Sequence, residues 1–268
     1  MSELRVGGVG GMPEMRCGDA IGRLIAERAD LQPGDIVVIS QKIVSKAEGR
    51  VRRLADVEPS ERAIELGKKL GKEAGLVELI LSESREILRD DRVLITETHH
   101  GFVCANAGID TSNLPEDDTV CLLPEDPDAS ARTIRTEFRA AIEGQGMGVA
   151  GPSPLLSADP HPLSLPPAVV ISDSFGRAWR LGQAEAAIGC AGLTPLDDWR
   201  GRNDASGHEL QATVIAIADE VAAAADLVRV KDSGIPAAIV RGLARYVAAE
   251  DGPGAAALRR PPGEDLFR

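Results

Sequence analysis

The segment Asp35-Ile36-Val37-Val38-Ile39-Ser40 limits the fold more than any other part of this chain. Four consecutive branched apolar residues leave no polar face on a strand, so a strand built from them is buried on both sides. Other elements must therefore cover the sheet above and below. Helical patterns fall at Asp19 to Ala29, at residues 59–74 opening on Pro59-Ser60-Glu61, and at Ala131 to about Glu143 behind Ser130 as N-cap. A fourth spans 213–230, where Val214, Ile217, Ala218, Val221, Ala225 and Val228 recur at helical spacing. Further strands are expected at Val77 to Leu81, Val93 to Thr98 and Pro236 to Val240, with two more running toward Asp110 and Asp173. Strands and helices interleave without a strict βαβ rhythm, which predicts an α+β fold of mixed sheets with packed helices. Aromatic residues make up only 3% of the chain, so Val, Ile, Leu and Ala must build its core.

The same scarcity removes the stacking platforms that single-stranded nucleic acid uses, and a net charge of -12 opposes a broad polyanionic partner. A nucleotide is not excluded, because it needs only a local cluster of cations. Cys17, Cys104, Cys121 and Cys190 form no C-x-x-C pair, so buried reduced thiols are expected rather than a metal-thiolate site. No apolar run approaches 18 residues and no charged-then-apolar leader opens the sequence, which points to the cytoplasm and away from membranes. Residues 144–167 carry Gly or Pro at ten of 24 positions and keep no hydrophobic period, so a surface insertion is expected there. The division expected is one domain over 1–249, interrupted at 144–168, and a loosely attached tail over 250–268.

Two segments carry most of the chemistry. Val169-Val170-Ile171-Ser172-Asp173-Ser174-Phe175-Gly176-Arg177-Ala178-Trp179-Arg180 runs from strand-forming residues into a carboxylate, hydroxyls and two arginines. Phe102-Val103-Cys104-Ala105-Asn106-Ala107-Gly108-Ile109-Asp110-Thr111-Ser112-Asn113 repeats the theme of a strand ending in an aspartate. Carboxylates and hydroxyls are hard oxygen ligands for Mg²⁺ or Mn²⁺. Each aspartate taken alone also reads as a turn or cap residue. Lys42 and Lys46, four apart beyond the first buried strand, suit phosphates as point charges and equally suit a solvated helix face. Arg177 and Arg180 suit a substrate carboxylate or phosphate, or a structural ion pair. The loop Lys231-Asp232-Ser233-Gly234-Ile235-Pro236 offers backbone N–H groups or is a plain connection. Three other features fail as sites. Gly7 to Gly11 meets Pro13 where a dinucleotide loop needs a third glycine, and Gly67 to Lys72 departs from phosphate-loop spacing. His99 and His100 are adjacent and diverge on a strand, so hydrogen bonding is expected of them.

Taken in order, these blocks resemble the coenzyme F420-0:L-glutamate ligase family. The resemblance is carried by Gly11-Met12-Pro13-Glu14, Ser45-Lys46-Ala47-Glu48-Gly49-Arg50, Ala107 to Asn113, Asp173-Ser174-Phe175-Gly176-Arg177, Asp198-Trp199-Arg200-Gly201 and Ala218-Asp219-Glu220. It implies an enzyme that joins L-glutamate to F420-0 with GTP through an acyl phosphate, in an intertwined homodimeric unit with small-molecule partners only. It implies GTP contacts from Met12, Pro13, Glu14, Met15, Gln41, Lys46 and Asn113, and from the loop Arg229, Val230, Lys231, Asp232, Ser233, Gly234, Ile235 and Pro236. It places a first divalent cation on Asp110 and Asp173 and a second on Ser174, with Mg²⁺ or Mn²⁺ as the ions and K⁺ beside them. Asp110, Asp173 and Arg177 become the expected catalytic residues. One departure stands out: Lys231 falls where some members supply a ligand to the second ion, and a protonated lysine cannot ligate a cation. A related carboxylate–amine ligase with another acceptor, or a nucleotide-binding module without chemistry, would carry many of the same blocks.

Overall fold

A computed structural model describes residues 3–112, 114, 118–144 and 165–265 of the chain. Its elements run β1 (Arg5–Val9), α1 (Ile21–Ala26), β2 (Ile36–Ser40), α2 (Gln41–Ala47), β3 (Val51–Arg53), α3 (Glu61–Leu70), α4 (Ala74–Ser82) and β4 (Ser84–Asp90). They continue with β5 (Leu94–Thr98), β6 (Val103–Ala105), β7 (Thr119–Cys121), α5 (Pro127–Gly144), β8 (Ala168–Arg177), β9 (Arg180–Ala191), β10 (Asp197–Asp198), β11 (Val214–Ile215), α6 (Ile217–Asp226) and β12 (Ala237–Arg241). Helices and mixed sheets together make an α+β fold, as expected.

The central sheet has five strands in the order β1-β12-β2-β8-β9. Only β2 and β8 pair in parallel, in register from Ile36 opposite Ala168 to Ser40 opposite Ser172. Ile36, Val37, Val38 and Ile39 are each fully buried. Alternation along the strand sends them to two cores. Val37 and Ile39 join Ile25, Ile134, Phe138 and Ile171 on the face covered by α1 and α5. Ile36 and Val38 join Val170, Cys190, Val221 and Ala222 on the face covered by α6. Each Val or Ile so buried contributes about 1.5–3 kcal/mol, which explains why an all-apolar strand occupies the middle of the sheet. A second, smaller core gathers Ala63, Val77, Ile80, Leu94 and Ala107 between α3, α4 and the antiparallel strands β4, β5 and β6.

Several expectations need correction. Val77 to Leu81 is helix, not strand. The apolar run reaches back to Ala74, is rich in good helix formers, and sets Val77 and Ile80 on one buried face. Ser130 lies inside α5 rather than before it. Asp126 accepts the Ala129 N–H at 2.9 Å, and Pro127 takes the first helical position, where its missing N–H costs nothing. The helix expected over 213–230 is shorter, because Val214 and Ile215 pair with β10. β8 does not stop at Asp173 but continues to Arg177 as a long hairpin with β9. The stretch after Glu250, expected loose, is docked: Asp128 accepts the Ala255 N–H at 2.7 Å, Arg135 pairs with Asp251 at 2.8 Å, and Ala255 is buried. The expected insertion falls mostly outside the described residues. Three cysteines are buried as expected, while Cys17 is exposed. Among the described residues no helix is long and apolar enough to cross a membrane.

Candidate functional site

Where β2 ends, the chain turns directly into α2, and this junction opens on a cavity of about 780 Å³. That volume lies in the range of small-molecule sites. Four stretches far apart in sequence converge on it: Met12 to Met15, the face of α2 bearing Lys42 and Lys46, the approach to Asp110, and the second half of β8. The loop between α6 and β12 closes one side.

Lys42 and Lys46 stand one helical turn apart and so share a face. The Lys42 ammonium sits 2.9 Å from Asp110 Oδ2 and donates to Ser112 Oγ at 2.7 Å. Lys46 meets Glu14 Oε1 at 2.5 Å. Asp110 does not end β6. A tight turn at Asn106–Gly108 intervenes, in which Asn106 and Ala107 both adopt the left-handed conformation that such residues rarely take. Asp110 is then fixed by a two-hydrogen-bond bridge to Cys121. Left-handed backbone at two non-glycine residues persists only where surrounding packing enforces it, here with Ala107 buried in the smaller core.

The two aspartates differ in charge environment. For Asp110 burial acts upward on the pKa, yet the Ser112 backbone N–H, the Lys42 ammonium and the Ser112 hydroxyl outweigh it and hold the carboxyl below its usual range. For Asp173, burial and then the negative charge of Glu185 push the carboxyl up to about 7. Asp110 adds to the rise, and the Ser174 backbone N–H and Lys42 reverse it only in part. Cys104, on the same wall, is raised to about 12 by burial and by Asp173. Asp173 is a carboxylate with too little positive charge around it.

Alternation along β8 separates Asp173 from Ser172 and Ser174, whose hydroxyls share one partner. Ser172 donates to Glu185 Oε2 at 2.6 Å, and Ser174 donates to Glu185 Oε1. Arg229 completes the group, 3.1 Å from Glu185 Oε2 and 2.8 Å from Ser172 Oγ. Its Nε and Nη1 are buried without a partner among the described residues. Buried guanidinium N–H groups left unpaired at a cavity wall call for an anion. Lys231 donates to Ser174 Oγ at 2.7 Å from the closing loop.

Of the residues singled out by sequence, Met12, Pro13, Glu14, Met15, Lys46, Asp110, Asp173, Ser174, Arg229, Val230, Lys231, Asp232, Gly234, Ile235 and Pro236 all line the cavity. Gln41 does not. It is buried, and its amide donates to Ser45 Oγ and to the Leu122 carbonyl, tying α2 to β7. Ser233 lies outside the lining and shapes the loop through the Val230 carbonyl. Arg177 stands exposed at the β8–β9 turn outside the cavity lining, where it donates to the Leu181 carbonyl at 2.7 Å. Asn113 lies outside the described residues. His99 and His100 donate to the backbone carbonyls of Ser82 and Pro124, the hydrogen bonding expected of them.

The sequence reading missed Glu185 as a site residue and left Lys42 without a partner. The hairpin itself gives a signal for Glu185, but a misleading one. Counted from Arg177 opposite Arg180, plain antiparallel pairing would set Gln183 across from Ser174. Irregular pairing between Gly176 and Arg177 shifts the register and brings Glu185 there instead.

The chain matches the model of F420-0:gamma-glutamyl ligase over residues 10–149 and 163–242. The chain belongs to the F420-0:gamma-glutamyl ligase family. The match lapses only inside the Gly/Pro-rich insertion and resumes before β8. Proteins named coenzyme F420:L-glutamate ligase are similar over most of their length. That of Methanothermobacter thermautotrophicus is 42% identical, covering 97% of each chain. That of Methanopyrus kandleri is 41% identical over 95% of this chain and 94% of its own. That of Archaeoglobus fulgidus is 41% identical over 88% and 86%.

Whether the residues of this family member fit a divalent cation is a question of charge. Among the described residues no three His, Cys, Asp or Glu side chains are grouped to hold a metal by themselves. Asp110 and Asp173 form a pair, and two carboxylates completed by phosphate oxygens and water are the usual donor set for Mg²⁺. The raised Asp173 carboxyl fits such an ion, since a cation between the two aspartates would offset the burial and the neighbouring negative charge that raise it. Ser174 fits less well, because an ammonium already faces its oxygen.

Proposed function

We propose that the chain is a GTP-dependent ligase that joins L-glutamate to coenzyme F420-0 through an acyl phosphate. Family membership supports the substrate class. The observation that carries the mechanism is the placement of Asp110 and Asp173 on one cavity, the first ion-paired to Lys42 and the second with its carboxyl pushed up to about 7 by burial and by the charge of Glu185. A carboxylate oxygen of F420-0 attacks the γ-phosphorus of GTP, and GDP leaves. The amino nitrogen of glutamate then attacks the acyl carbon, expels phosphate and loses a proton, leaving an amide. A divalent cation on Asp110 and Asp173 would neutralise the phosphoryl oxygens as charge moves onto the leaving group.

The chain's own groups supply position and electrostatics. Lys46, with its side chain mostly buried and its ammonium at Glu14, places positive charge where the stretch Met12 to Met15 meets the cavity. Arg229 lines the same cavity, and its buried Nε and Nη1 have no partner among the described residues, so its guanidinium is suited to a phosphate or carboxylate. Lys42 anchors Asp110 so that its second oxygen keeps a fixed direction. Such preorganised charges stabilise a phosphoryl transition state without reorganisation at the moment of reaction.

The exposed tip of the β8–β9 hairpin supports the further proposal of a homodimer. Trp179 and Leu181 are 87% and 97% exposed, a costly display of apolar surface on a lone chain. Sedimentation at micromolar concentration checks it, with a single monomeric species as the contrary result. For the reaction, product mass after incubation with F420-0, L-glutamate, Mn²⁺ and either GTP or ATP is the decisive measurement. A mass increase of one or more glutamyl residues with GTP is expected. Nucleotide hydrolysis without glutamylated product would favour a related ligase with another carboxylate acceptor.

A further inference from the structure

Around Asp110 and Asp173 two carboxylates face one ammonium, that of Lys42, and the pair is short of positive charge. Around Ser174 the balance is reversed. Glu185 is the carboxylate there, and it already accepts from Ser172, Ser174 and Arg229. Ser174 spends its proton on Glu185 and receives the Lys231 ammonium at 2.7 Å on its oxygen. Arg229 and Lys231 together bring two positive charges to the group around Glu185, whose own negative charge also reaches Asp173. The hydroxyl on which the resemblance places a second divalent ion is thus occupied by a cation already, and a metal beside it would meet repulsion.

We propose that Lys231 is the second cation of this site, so that the chain takes one divalent ion, between Asp110 and Asp173, and not two. The inference rests on the nucleotide-dependent ligase reading above. A lysine ammonium is a compact, strongly hydrated point charge with three N–H donors. One donor is spent on Ser174, which leaves two for phosphate oxygens. The loop suits this use. Lys231 is exposed on the cavity rim, and the left-handed Gly234, with open space around it, turns the chain back into β12. The arm can therefore follow an incoming nucleotide without disturbing the core.

The test counts ions directly. The full chain, loaded with Mn²⁺ and the non-hydrolysable β,γ-imido analogue of GTP, is brought to equilibrium by dialysis, and bound Mn²⁺ is read by electron paramagnetic resonance. One Mn²⁺ per chain is expected. Lys231→Ala should raise the count to two, because Ser174 then lacks the ammonium on its oxygen while Arg229 alone still faces Glu185, and Lys231→Arg should keep it at one. Two ions on the unaltered chain, or a single ion on Lys231→Ala, would overturn the proposal. A chain that makes glutamylated product while holding two Mn²⁺ loses only the lysine assignment. A chain that retains neither Mn²⁺ nor the analogue loses the ligase reading with it.

Discussion

Asp35 and Asp173 sit on the same parallel strand pair, one at each end, and the protein treats them in opposite ways. Asp35 is fully buried just before β2. Arg241 grips both its oxygens, at 2.7 and 2.8 Å, and the Gln32 backbone N–H adds a third hydrogen bond. Asp173, on β8, has a like-charged neighbour in Glu185 and no cation paired to it among the described residues. A buried charge with its hydrogen bonds complete holds the fold together. One left short of them marks where something else must bind. The contrast is a stronger guide to the site than either residue alone, because both are acidic groups at the ends of apolar strands.

The largest expected effect tests the unpaired end. Asp110→Asn and Asp173→Asn keep shape while removing one charge each, and each should lower ligase turnover roughly 10²–10³-fold, the range for loss of one electrostatic partner of a transition state. Both variants should remain folded, and excess Mn²⁺ should restore part of the rate. Near-normal turnover in steady-state assays of both would erase the contrast with Asp35. At the paired end, Asp35→Ala should cost about 3 kcal/mol in urea unfolding, the low end for breaking a buried ion pair, because the half-exposed Arg241 can rehydrate. Its turnover at low temperature should change little. An unfolding midpoint equal to that of the unaltered chain would show that the pair is ornamental.

A smaller effect concerns the cavity's cations. Lys46→Ala should weaken GTP binding by ~1.5–3 kcal/mol, as for a charge-assisted hydrogen bond, while Lys68→Ala on α3 should leave it unchanged. Equal affinities by calorimetry would take Lys46 out of the site. The smallest effect is on stability and runs against intuition. The folded Asp173 carboxyl, at about 7, lies above the unfolded value of 3.8, so between these pH values the folded chain keeps a proton that the unfolded chain has lost. Stability contributed by this group is therefore whole below pH 3.8 and falls as pH rises toward 7. With chelator present, Asp173→Asn should be more stable than the unaltered chain at pH 8, by about 1–2 kcal/mol once partial solvent access is allowed for. The gain should vanish near pH 4. Thermal melts across that interval check it, and a variant less stable at pH 8 would show that Asp173 supports the fold after all.

What sequence reveals here follows the reach of the forces involved. β2 is legible because burial on both faces demands four apolar residues in a row, and Ser60 is legible because it caps α3 through the nearby Ala63 N–H. Val77 to Leu81 misleads, since a short apolar run has the same composition in a buried helix as in a strand. The aspartates and the lysines at the cavity can be named from their types. Their partners cannot, because Lys42 finds Asp110 and Ser174 finds Glu185 only after distant strands have paired. Register at the β8–β9 hairpin depends on an irregularity that leaves no mark in residue type. Arg177 shows the converse, a residue of suitable chemistry that the structure ties to the Leu181 carbonyl across the hairpin turn.

The parallel alignment of β2 with β8 has a kinetic consequence. The two strands lie more than a hundred residues apart in the chain, and everything from α2 to α5 must be accommodated between them. Contacts of such long sequence separation form late and slow the search for the native state. Lys42 follows one strand and Asp173 rides on the other, so the cavity does not exist until this closure is complete. Nascent or partly refolded chains should accordingly be inert toward nucleotide, and the appearance of GTP binding after dilution from denaturant would time the last step of folding rather than the first.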